Sequence, residues 1–271
     1  MGPTLEMSLI RNSQARIIDV FKSFRDETLA AYGNSGHTYK ADNSPLTELD
    51  VKIETTLKET LKTEFPQLGF FGEETPPYNQ NAAGVWHIDP IDSTLSFIHG
   101  LPFCSNMAAL IVDDVVVASV LYLFIENNLY TAIKGEGAYK NANRLKIENQ
   151  SLENSIVFAD ATSYKNIYPL FEPKNVRFYA PVGATGYFMC RLADNSIQGI
   201  CYYGARVKTH DIAPGLLLVE EAGGQIENFD TSSPAISSNK LLLGTHSIVD
   251  FGKSINPSLS SNEGEIARKT K

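Results

Sequence analysis

Two aspartates, Asp89 and Asp92, stand three residues apart in the stretch D-P-I-D-S-T, directly after the apolar, β-prone run 85–88. Carboxylates this close repel each other unless a positive charge lies between them, and hard oxygen ligands on a tight turn suit Mg²⁺. Ser93 and Thr94 follow where the N-terminus of a helix would present free N–H groups to an anion such as phosphate. A metal-binding site and a phosphate-binding site in one turn suggest phosphoryl-transfer chemistry.

The same stretch has a simpler interpretation, because D-P-x-D is also common in solvated turns and at helix N-caps. The choice between the two interpretations depends on whether matching acidic groups occur elsewhere in the chain. Three do: Asp50, the pair Glu73–Glu74 after Gly72, and Asp211. Taken singly, each of these could also be a helix-capping or surface residue.

The composition of the 271-residue chain is that of an ordinary globular protein, with 43% hydrophobic and 20% charged residues. A net charge of −8 argues against a general nucleic-acid or anionic-membrane binder, because nothing would neutralise phosphates broadly. No apolar run is long enough to span a bilayer, and we expect a cytoplasmic protein with no membrane or nucleic-acid partner. The cysteines at 104, 190 and 201 lie in apolar stretches, so burial is expected rather than a disulfide or a metal site.

Hydrophobic periodicity predicts the elements that would position the acidic groups of the first half. An amphipathic helix is expected over residues 5–32 and a second one over 53–65, with Asp50 near its first turn. Strands are expected over 68–71 and 85–88, each leading into an acidic group. An antiparallel meander is expected from three further strands, at residues 107–112, 115–124 and 129–133.

The second half alternates between strand and helix patterns. Strands are expected at 156–159, 176–179, 200–203, 225–229 and 241–244, and helices at 164–171, 183–193 and 211–221. Such alternation predicts helices that cover a mixed sheet. We therefore expect an N-terminal α+β half, 1–145, which carries the metal-site loops, and a C-terminal α/β half, 146–271, which carries Asp211 and the rim of the substrate pocket.

The order and spacing of the acidic groups resemble the inositol monophosphatase family, part of the lithium-sensitive, Mg²⁺-dependent phosphatase superfamily. The family signature W-x-x-D-P-I-D-G-T-x-x-F is matched by residues 86–97 with one change, and W-D-x-A-A-G…E-A-G-G is matched in part by residues 210–215 and 221–224. The G-E-E motif and a K-x-D-x-S-P-x-T-x-x-D stretch over 40–50 are also present. The resemblance extends to about residue 250 and implies a layered αβαβα sandwich of the inositol monophosphatase/fructose-1,6-bisphosphatase type.

Carried over position by position, the resemblance implies a site for two or three Mg²⁺ ions. Glu73, Asp89 and the carbonyl oxygen of Ile91 would bind the first ion. Asp89 would bridge to the second ion, which Asp92 and Asp211 would also bind.

The resemblance further implies that Thr94 and Asp50 orient the attacking water, a role that Glu73 would share. Backbone N–H groups of Ser93 and Thr94 would bind the phosphate. The residues expected to contact the substrate are Asp92, Ser93, Thr94, Gly183, Ala184, Thr185 and Arg206.

The sequence departs from the family pattern in ways that affect the pocket. Ser93 stands where most members have glycine, and a glycine-specific φ would penalise serine, although the inositol polyphosphate 1-phosphatase branch also carries D-S-T. His210 replaces the usual tryptophan, which we interpret as altered pocket lining. Gly204 stands where inositol monophosphatases usually place a glutamate, and Arg206 and Lys208 are nearby. The missing acceptor at Gly204 and the added positive charge disfavour a bare polyol and favour a substrate with a second anionic group, unless either cation simply faces solvent.

We therefore expect a Mg²⁺-dependent phosphomonoesterase that hydrolyses a small phosphorylated polyol, sugar or similar metabolite by metal-activated water, and that forms a homodimer as the family commonly does. A 3′(2′),5′-bisphosphate nucleotidase, a histidinol-phosphate phosphatase and a fructose-1,6-bisphosphate phosphatase are alternatives that differ in the pocket rim. A homologue that binds metal or phosphate without catalysis is the alternative from a different class, and Ser93 and His210 are its only support.

Overall fold

The structure is a computed structural model that describes residues 5–179, 183–203, 207–229, 236, 238 and 240–255. Across these described residues, layers of helix alternate with two larger β-sheets.

Two helices, a short hairpin and a third helix precede the first large sheet. In chain order they are α1 (Met7–Ser23), α2 (Arg25–Ala31), β1 (His37–Tyr39), β2 (Pro45–Thr47) and α3 (Glu48–Glu64). The single N-terminal helix expected from the sequence is interrupted at Phe24, whose ψ of −6° departs from the helical value of about −42°. The next residue, Arg25, donates from Nε to the carbonyl oxygen of Phe124 over 2.9 Å, which fastens α2 to the loop after a sheet strand.

The first large sheet contains seven strands within the described residues, in the order of the chain. They are β3 (Gly69–Gly72), β4 (Val85–Asp92), β5 (Ser105–Val112), β6 (Val115–Leu123), β7 (Asn128–Ile133), β8 (Gly137–Lys140) and β9 (Asn143–Arg144), with α4 (Thr94–Ile98) between β4 and β5. Strands β3 and β4 are parallel, and every later pair is antiparallel. The predicted meander is confirmed, and the two strands that carry acidic groups join it at one edge.

The second large sheet is mixed, as the alternating pattern predicted. Its part of the chain contains β10 (Ile156–Ala159), α5 (Ala161–Phe171), a 3₁₀ turn (Glu172–Lys174), β11 (Arg177–Tyr179), α6 (Thr185–Ala193), β12 (Gly199–Cys201), α7 (Thr209–Glu221), β13 (Gln225–Asn228) and β14 (Leu241–Gly244). Residues 246–255 form a last helix. The strand order is β11-β10-β12-β14-β13, with parallel pairing on both sides of β10 and antiparallel pairing on both sides of β14.

Three clusters of buried apolar side chains define the layers. Helices α1 and α3 pack through Ile17 and Ile53 on one face of the first sheet. Helices α6 and α7 lie between the two sheets and form one continuous core with both of them. Helix α5 and residues 246–255 cover the outer face of the second sheet around Phe171 and Val249. The expected αβαβα layering is confirmed, since each sheet buries both faces against helices.

Two further expectations can be compared with the described residues. No helix there combines the length and the apolar character that crossing a bilayer requires. Cys104, Cys190 and Cys201 are all buried free thiols, as their apolar surroundings predicted.

Candidate active site

One open cavity of about 660 Å³ is lined by residues from both parts of the chain. Residues expected at the site make up much of its wall: Glu73, Asp89, Ile91, Asp92, Ser93, Thr94, Gly183, Thr185 and Asp211. Asp50 and Ala184 adjoin these residues without lining the cavity themselves. Arg206 lies outside the described residues.

Strand β4 brings Asp89 and Asp92 to the cavity, and it continues through Asp92 instead of ending at Ile88 as the sequence predicted. Two strand residues three apart would normally point to opposite faces of a sheet. Pro90 has no N–H for the ladder, and the pairing with β5 shifts register between Asp89 and Asp92. The side-chain amide of Asn106 donates to the Pro90 carbonyl oxygen over 2.6 Å. This bulge lets both carboxylates reach one cavity.

Ser93 and Thr94 turn the chain from β4 into α4. Ser93 has φ 62° and ψ 55°, the left-handed region in which glycine carries no Cβ penalty. The expectation that this position suits glycine is therefore confirmed. Gly183 approaches closely from the second half, because a Cβ added to it would stand 2.9 Å from Oγ of Ser93. Thr94 donates from Oγ1 to the carbonyl oxygen of Ile91 over 3.0 Å.

Asp50 occupies the first turn of α3, where it both caps the helix and faces the cavity residues. Its Oδ2 accepts hydrogen bonds from the backbone N–H and the hydroxyl of Thr47, at 2.9 and 2.5 Å. Its Oδ1 lies 3.5 Å from Oγ1 of Thr94. Burial raises the pKa of Asp50 to about 7. The capping role and the site role therefore use different oxygens of one carboxylate.

Glu73 and Glu74, directly after β3, bind lysine side chains. Lys40 Nζ donates to Oε1 of Glu73 over 3.1 Å and to Oε1 of Glu74 over 2.6 Å. Lys208 Nζ, from the second half, donates to the same Oε1 of Glu73 over 3.0 Å. Burial raises the pKa of Glu73, but the nearby positive charges more than offset this effect and leave the pKa below its usual value.

Asp211 lies in the first turn of α7, which begins at Thr209, two residues earlier than the sequence predicted. The carboxylate is therefore not the N-cap. Its Oδ2 accepts the backbone N–H of Lys208, the residue that precedes the helix, over 2.6 Å. This bond fixes the side chain at the positive end of a long helix, where an anionic group is favoured.

Burial and mutual repulsion raise the pKa values of the three aspartates at the centre of the site. The pKa of Asp89 lies well above its usual value because of burial and the charges of Glu73, Asp92 and Asp211. Burial and the charge of Asp211 raise the pKa of Asp92 to about 7, and burial raises that of Asp211 to about 6. Like charges gathered in a low-dielectric site are stabilised by a cation bound among them.

The available ligand atoms suit a divalent cation that prefers oxygen. Oδ1 of Asp89 is buried and has no hydrogen-bond partner within the part of the chain that the structure describes, and Ile91 lines the same cavity. Carboxylate and carbonyl oxygens are the ligands of Mg²⁺ and Ca²⁺. Among the described residues, however, no three acidic, histidine or cysteine side chains already surround a common point. Glu73 is instead paired with Lys40 and Lys208, whose positive charges oppose the binding of an ion at this carboxylate.

Three polar residues that the second half of the chain brings to the cavity wall were not expected from the sequence: Asp160, Thr162 and Tyr202. Asp160 follows β10 and caps α5, with Oδ1 accepting the backbone N–H of Ser163 over 2.8 Å. The Tyr202 hydroxyl is buried beside the cavity. Asp160 could have been identified by its position directly after a predicted strand, which it shares with Asp89.

His210 does not line the cavity, so the interpretation that it alters the pocket lining is wrong. Its side chain is buried, and its ring is roughly parallel to that of Phe71, with 6.5 Å between centroids. Phe71 also stacks on His87 at 5.0 Å. Burial lowers the pKa of His210 to about 4, so the ring is neutral at pH 7. The replacement therefore changes the packing next to β3.

The glutamate of the E-A-G-G part of the second signature, Glu221, stabilises the fold instead of contacting the cavity. Glu221, at the end of α7, accepts the backbone N–H groups of Gly135 and Gly137, both at 2.7 Å. These two bonds tie the helix that carries Asp211 to the turn between β7 and β8.

Comparison with known proteins identifies similar chains over nearly the whole length. The model of the inositol monophosphatase family matches residues 7–260. The Nus factor SuhB of Pasteurella multocida is 30% identical over 233 residues, which are 82% of this chain and 86% of the relative. The inositol monophosphatase of Dictyostelium discoideum is 29% identical over 253 residues, or 86% of this chain and 90% of that protein.

Solved structures show the same fold. An IMPase/NADP phosphatase complexed with Mg²⁺ and phosphate superposes with a TM-score of 0.78 at 20% sequence identity. The match covers 92% of this chain and 95% of the solved one.

Proposed function

Because the chain belongs to the inositol monophosphatase family and is a phosphoric monoester hydrolase, we propose that it hydrolyses a small phosphorylated polyol, sugar or similar metabolite with Mg²⁺ as its cofactor. The observation that carries this proposal is the meeting of carboxylates from three distant parts of the sequence at one cavity. They are Glu73, Asp89, Asp92 and Asp211.

These carboxylates would hold two or three cations. Glu73, Asp89 and the Ile91 carbonyl oxygen are assigned to the first ion, and Asp89, Asp92 and Asp211 to the second. Bound cations supply a water molecule of lowered pKa and offset the charge that develops on the phosphoryl and leaving oxygens. The raised pKa values of Asp89, Asp92 and Asp211 support this assignment, because burial and mutual repulsion disfavour three charged carboxylates unless positive charge is added among them.

The remaining residues orient the reactants. Thr94 would hold the attacking water through Oγ1, with Asp50 as the acceptor 3.5 Å from that oxygen. In this arrangement the water proton passes towards the Asp50 carboxylate, and Glu73 shares the orienting role. The backbone N–H groups of Ser93 and Thr94, at the start of α4, are assigned to the phosphate, because the N-terminus of a helix attracts an anion.

The part of the cavity wall that Asp160, Thr162 and Tyr202 form favours hydroxyl groups over a second phosphate. These residues offer a carboxylate and two hydroxyls. Lys208, which the sequence suggested for a second anionic group, is paired with Glu73. Substrate contacts from Gly183, Ala184 and Thr185 remain part of the proposal, and so does one from Arg206, which the structure does not describe.

A phosphate-release panel tests the proposal against its alternatives. The panel contains inositol 1-phosphate, a sugar monophosphate, histidinol phosphate, fructose 1,6-bisphosphate and a nucleoside 3′,5′-bisphosphate, each with Mg²⁺ and with EDTA. We expect Mg²⁺-dependent release that is fastest with a polyol or sugar monophosphate. The nucleotidase, histidinol-phosphate and fructose-bisphosphate alternatives each predict a different preferred substrate. No release from any substrate by a folded sample would favour the inactive homologue.

The site favours a small-molecule substrate over a nucleic-acid partner. Some relatives are named Nus factor SuhB, but this chain has a net charge of −8 and so lacks the excess of positive charge that binds the phosphates of a nucleic acid. A cytoplasmic location is also proposed, supported by three buried thiols that form no disulfide. A homodimer is proposed as well, as the family resemblance implies, and light scattering would test it.

A further inference from the structure

Helix α3 presents three charged residues at every fourth position: Asp50, Glu54 and Lys58. Residues four apart lie on the same face of a helix. Asp50 adjoins the cavity, whereas Glu54 does not line it and has no accessible surface. A fully buried carboxylate is costly unless its oxygens are hydrogen-bonded. Its partners therefore indicate why it is there.

Both oxygens of Glu54 bind the backbone directly after Glu73. Oε2 accepts the N–H of Glu74 over 2.9 Å, and Oε1 accepts the N–H of Thr75 over 2.6 Å. One turn further along the helix, Lys58 Nζ donates to the carbonyl oxygen of Pro76 over 2.6 Å. The loop after β3 is thus fastened to α3 by side chains of the helix.

Gly72 shows how closely this loop approaches the carboxylate. A Cβ added to Gly72 would lie 2.0 Å from Oε1 and 2.2 Å from Cδ of Glu54. Its φ is not in the left-handed region, so the close approach, and not the backbone conformation, requires glycine here. The glycine of the G-E-E motif and Glu54 form one unit, whose effect is to place the next residue, Glu73.

We propose that Glu54 is a positioning residue for divalent-cation binding. It fixes the backbone that carries Glu73 relative to Asp50 on the same rigid helix, so that the two carboxylates assigned to the water and the first ion keep a set separation. This inference rests on the proposed function, because it assigns Glu73 to the cation.

Calorimetric titration of Mg²⁺ into the full chain tests the inference with Glu54→Gln and the control Glu59→Gln. The control removes a carboxylate from the same helix whose side chain is 59% exposed. We expect Glu54→Gln to weaken Mg²⁺ binding by about 10- to 100-fold, as loss of an outer partner of a metal ligand typically does. In this variant the side-chain NH₂ group would face the backbone N–H of Glu74 or Thr75, from which the carboxylate accepts a hydrogen bond, and two donors cannot pair. Glu59→Gln should bind Mg²⁺ as the wild type does.

A second variant, Gly72→Ala, tests the same contact from the other side. Alone it should weaken Mg²⁺ binding, because the new methyl group displaces the Glu54 carboxylate. In a Glu54→Ala background, Gly72→Ala should cause only a small further loss of Mg²⁺ affinity, because the carboxylate atoms that the methyl group would contact are gone. Should Glu54→Ala not fold, Glu54→Gln and Gly72→Ala decide the matter without it.

The outcomes separate the two levels of the argument. Glu54→Gln that lowers the melting temperature but binds Mg²⁺ within twofold of the wild type would overturn the inference while the proposed function stands. A wild-type chain that neither binds Mg²⁺ nor releases phosphate would overturn the proposed function, and this inference with it.

Discussion

The ammonium group of Lys208 lies 3.0 Å from Oε1 of Glu73, so a lysine from the second half of the chain binds a carboxylate assigned to a divalent cation. Lys40 Nζ is 3.1 Å from the same oxygen. Both lysines bind Oε1, and their positive charges would repel a cation bound at either oxygen of this carboxylate. Lysine and cation therefore compete for the negative charge of Glu73.

Replacement of Lys208 by methionine should strengthen Mg²⁺ binding. The lysine side chain is 53% exposed, and such an ion pair is worth about 0.2–1 kcal/mol. Loss of this competitor should therefore lower the apparent Kd for Mg²⁺ by up to about fivefold. Lys134→Met, which removes an exposed partner of Glu220, is the control. Unchanged or weaker Mg²⁺ binding by Lys208→Met in calorimetry would refute the competition.

Asp92→Asn should abolish turnover while the fold persists. The carboxylate accepts the hydroxyl of Ser105 over 3.2 Å and the N–H of Gly186 over 2.9 Å, and an amide can retain the second bond. Because Asp92 is assigned to the second ion, kcat/KM should fall by more than about 100-fold, beyond the loss of an outer partner. Turnover near the wild-type value would contradict the assignment.

Magnesium should stabilise the wild type but have much less effect on Asp92→Asn. At 100 times its Kd a ligand adds about 2.7 kcal/mol of unfolding free energy, which corresponds to a rise of about 5 °C in a chain of this size. In EDTA the variant should melt at or above the wild-type temperature, because one of the mutually repelling carboxylates is neutralised. Equal Mg²⁺-induced shifts in both proteins, measured by calorimetric melting, would argue against a cation at Asp92.

Lithium at millimolar concentration should inhibit phosphate release, as the family resemblance implies. Li⁺ also prefers oxygen ligands but carries a single charge, so it would take a cation position while offsetting less negative charge. Sodium chloride at the same ionic strength is the control. Insensitivity to lithium, or equal inhibition by sodium, would place the chain in a more distant branch.

Stability should depend on pH through Asp194, which lies outside the cavity. Burial raises its pKa, but hydrogen bonds outweigh this and hold the pKa below its usual value. The carboxylate accepts bonds from Lys140 at 2.9 Å, Tyr130 at 2.8 Å, Arg191 at 3.1 Å and Ser196 at 2.5 Å. A carboxylate whose pKa is lower in the folded state stabilises the fold at pH values above its unfolded-state pKa of about 3.9. This contribution is lost as the pH falls through the folded-state pKa.

Asp194→Asn should therefore lose about 1–3 kcal/mol of unfolding free energy at neutral pH. Its deficit relative to the wild type should shrink as the pH falls below about 4, when the wild-type carboxylate becomes protonated. Asp19→Asn, at a side chain that is 64% exposed, should show no comparable deficit. A deficit that stays constant down to pH 3 in urea denaturation would contradict this account.

The sequence was most informative where a pattern acts locally. Strand-end acids at Asp89 and helix stripes such as that of α3 follow from periodicity within a few residues, and they identified much of the site. Periodicity could not predict the bulge that extends β4 to Asp92, because it depends on how β5 pairs with a strand that lacks one N–H. The break at Phe24 was missed for a similar reason, since the pattern of apolar residues runs through it.

Contacts between distant residues could not be predicted. The ion pair of Lys208 with Glu73 joins positions 135 apart, and the part of the cavity wall formed by Asp160 and Tyr202 depends on how the second sheet packs. The β1–β2 hairpin was also missed, because its two strands have only three residues each and show no alternation of buried and exposed positions.

Anomalous diffraction from crystals soaked in Mn²⁺ and inorganic phosphate tests the central claim most directly. Mn²⁺ accepts the same oxygen ligands as Mg²⁺ and scatters strongly enough to be located. We predict at least two anomalous peaks in the cavity, with Asp89 bridging them, Glu73 at one and Asp92 and Asp211 at the other. A cavity that contains no anomalous peak at saturating Mn²⁺, while Glu73 remains paired with its lysines, would contradict the account.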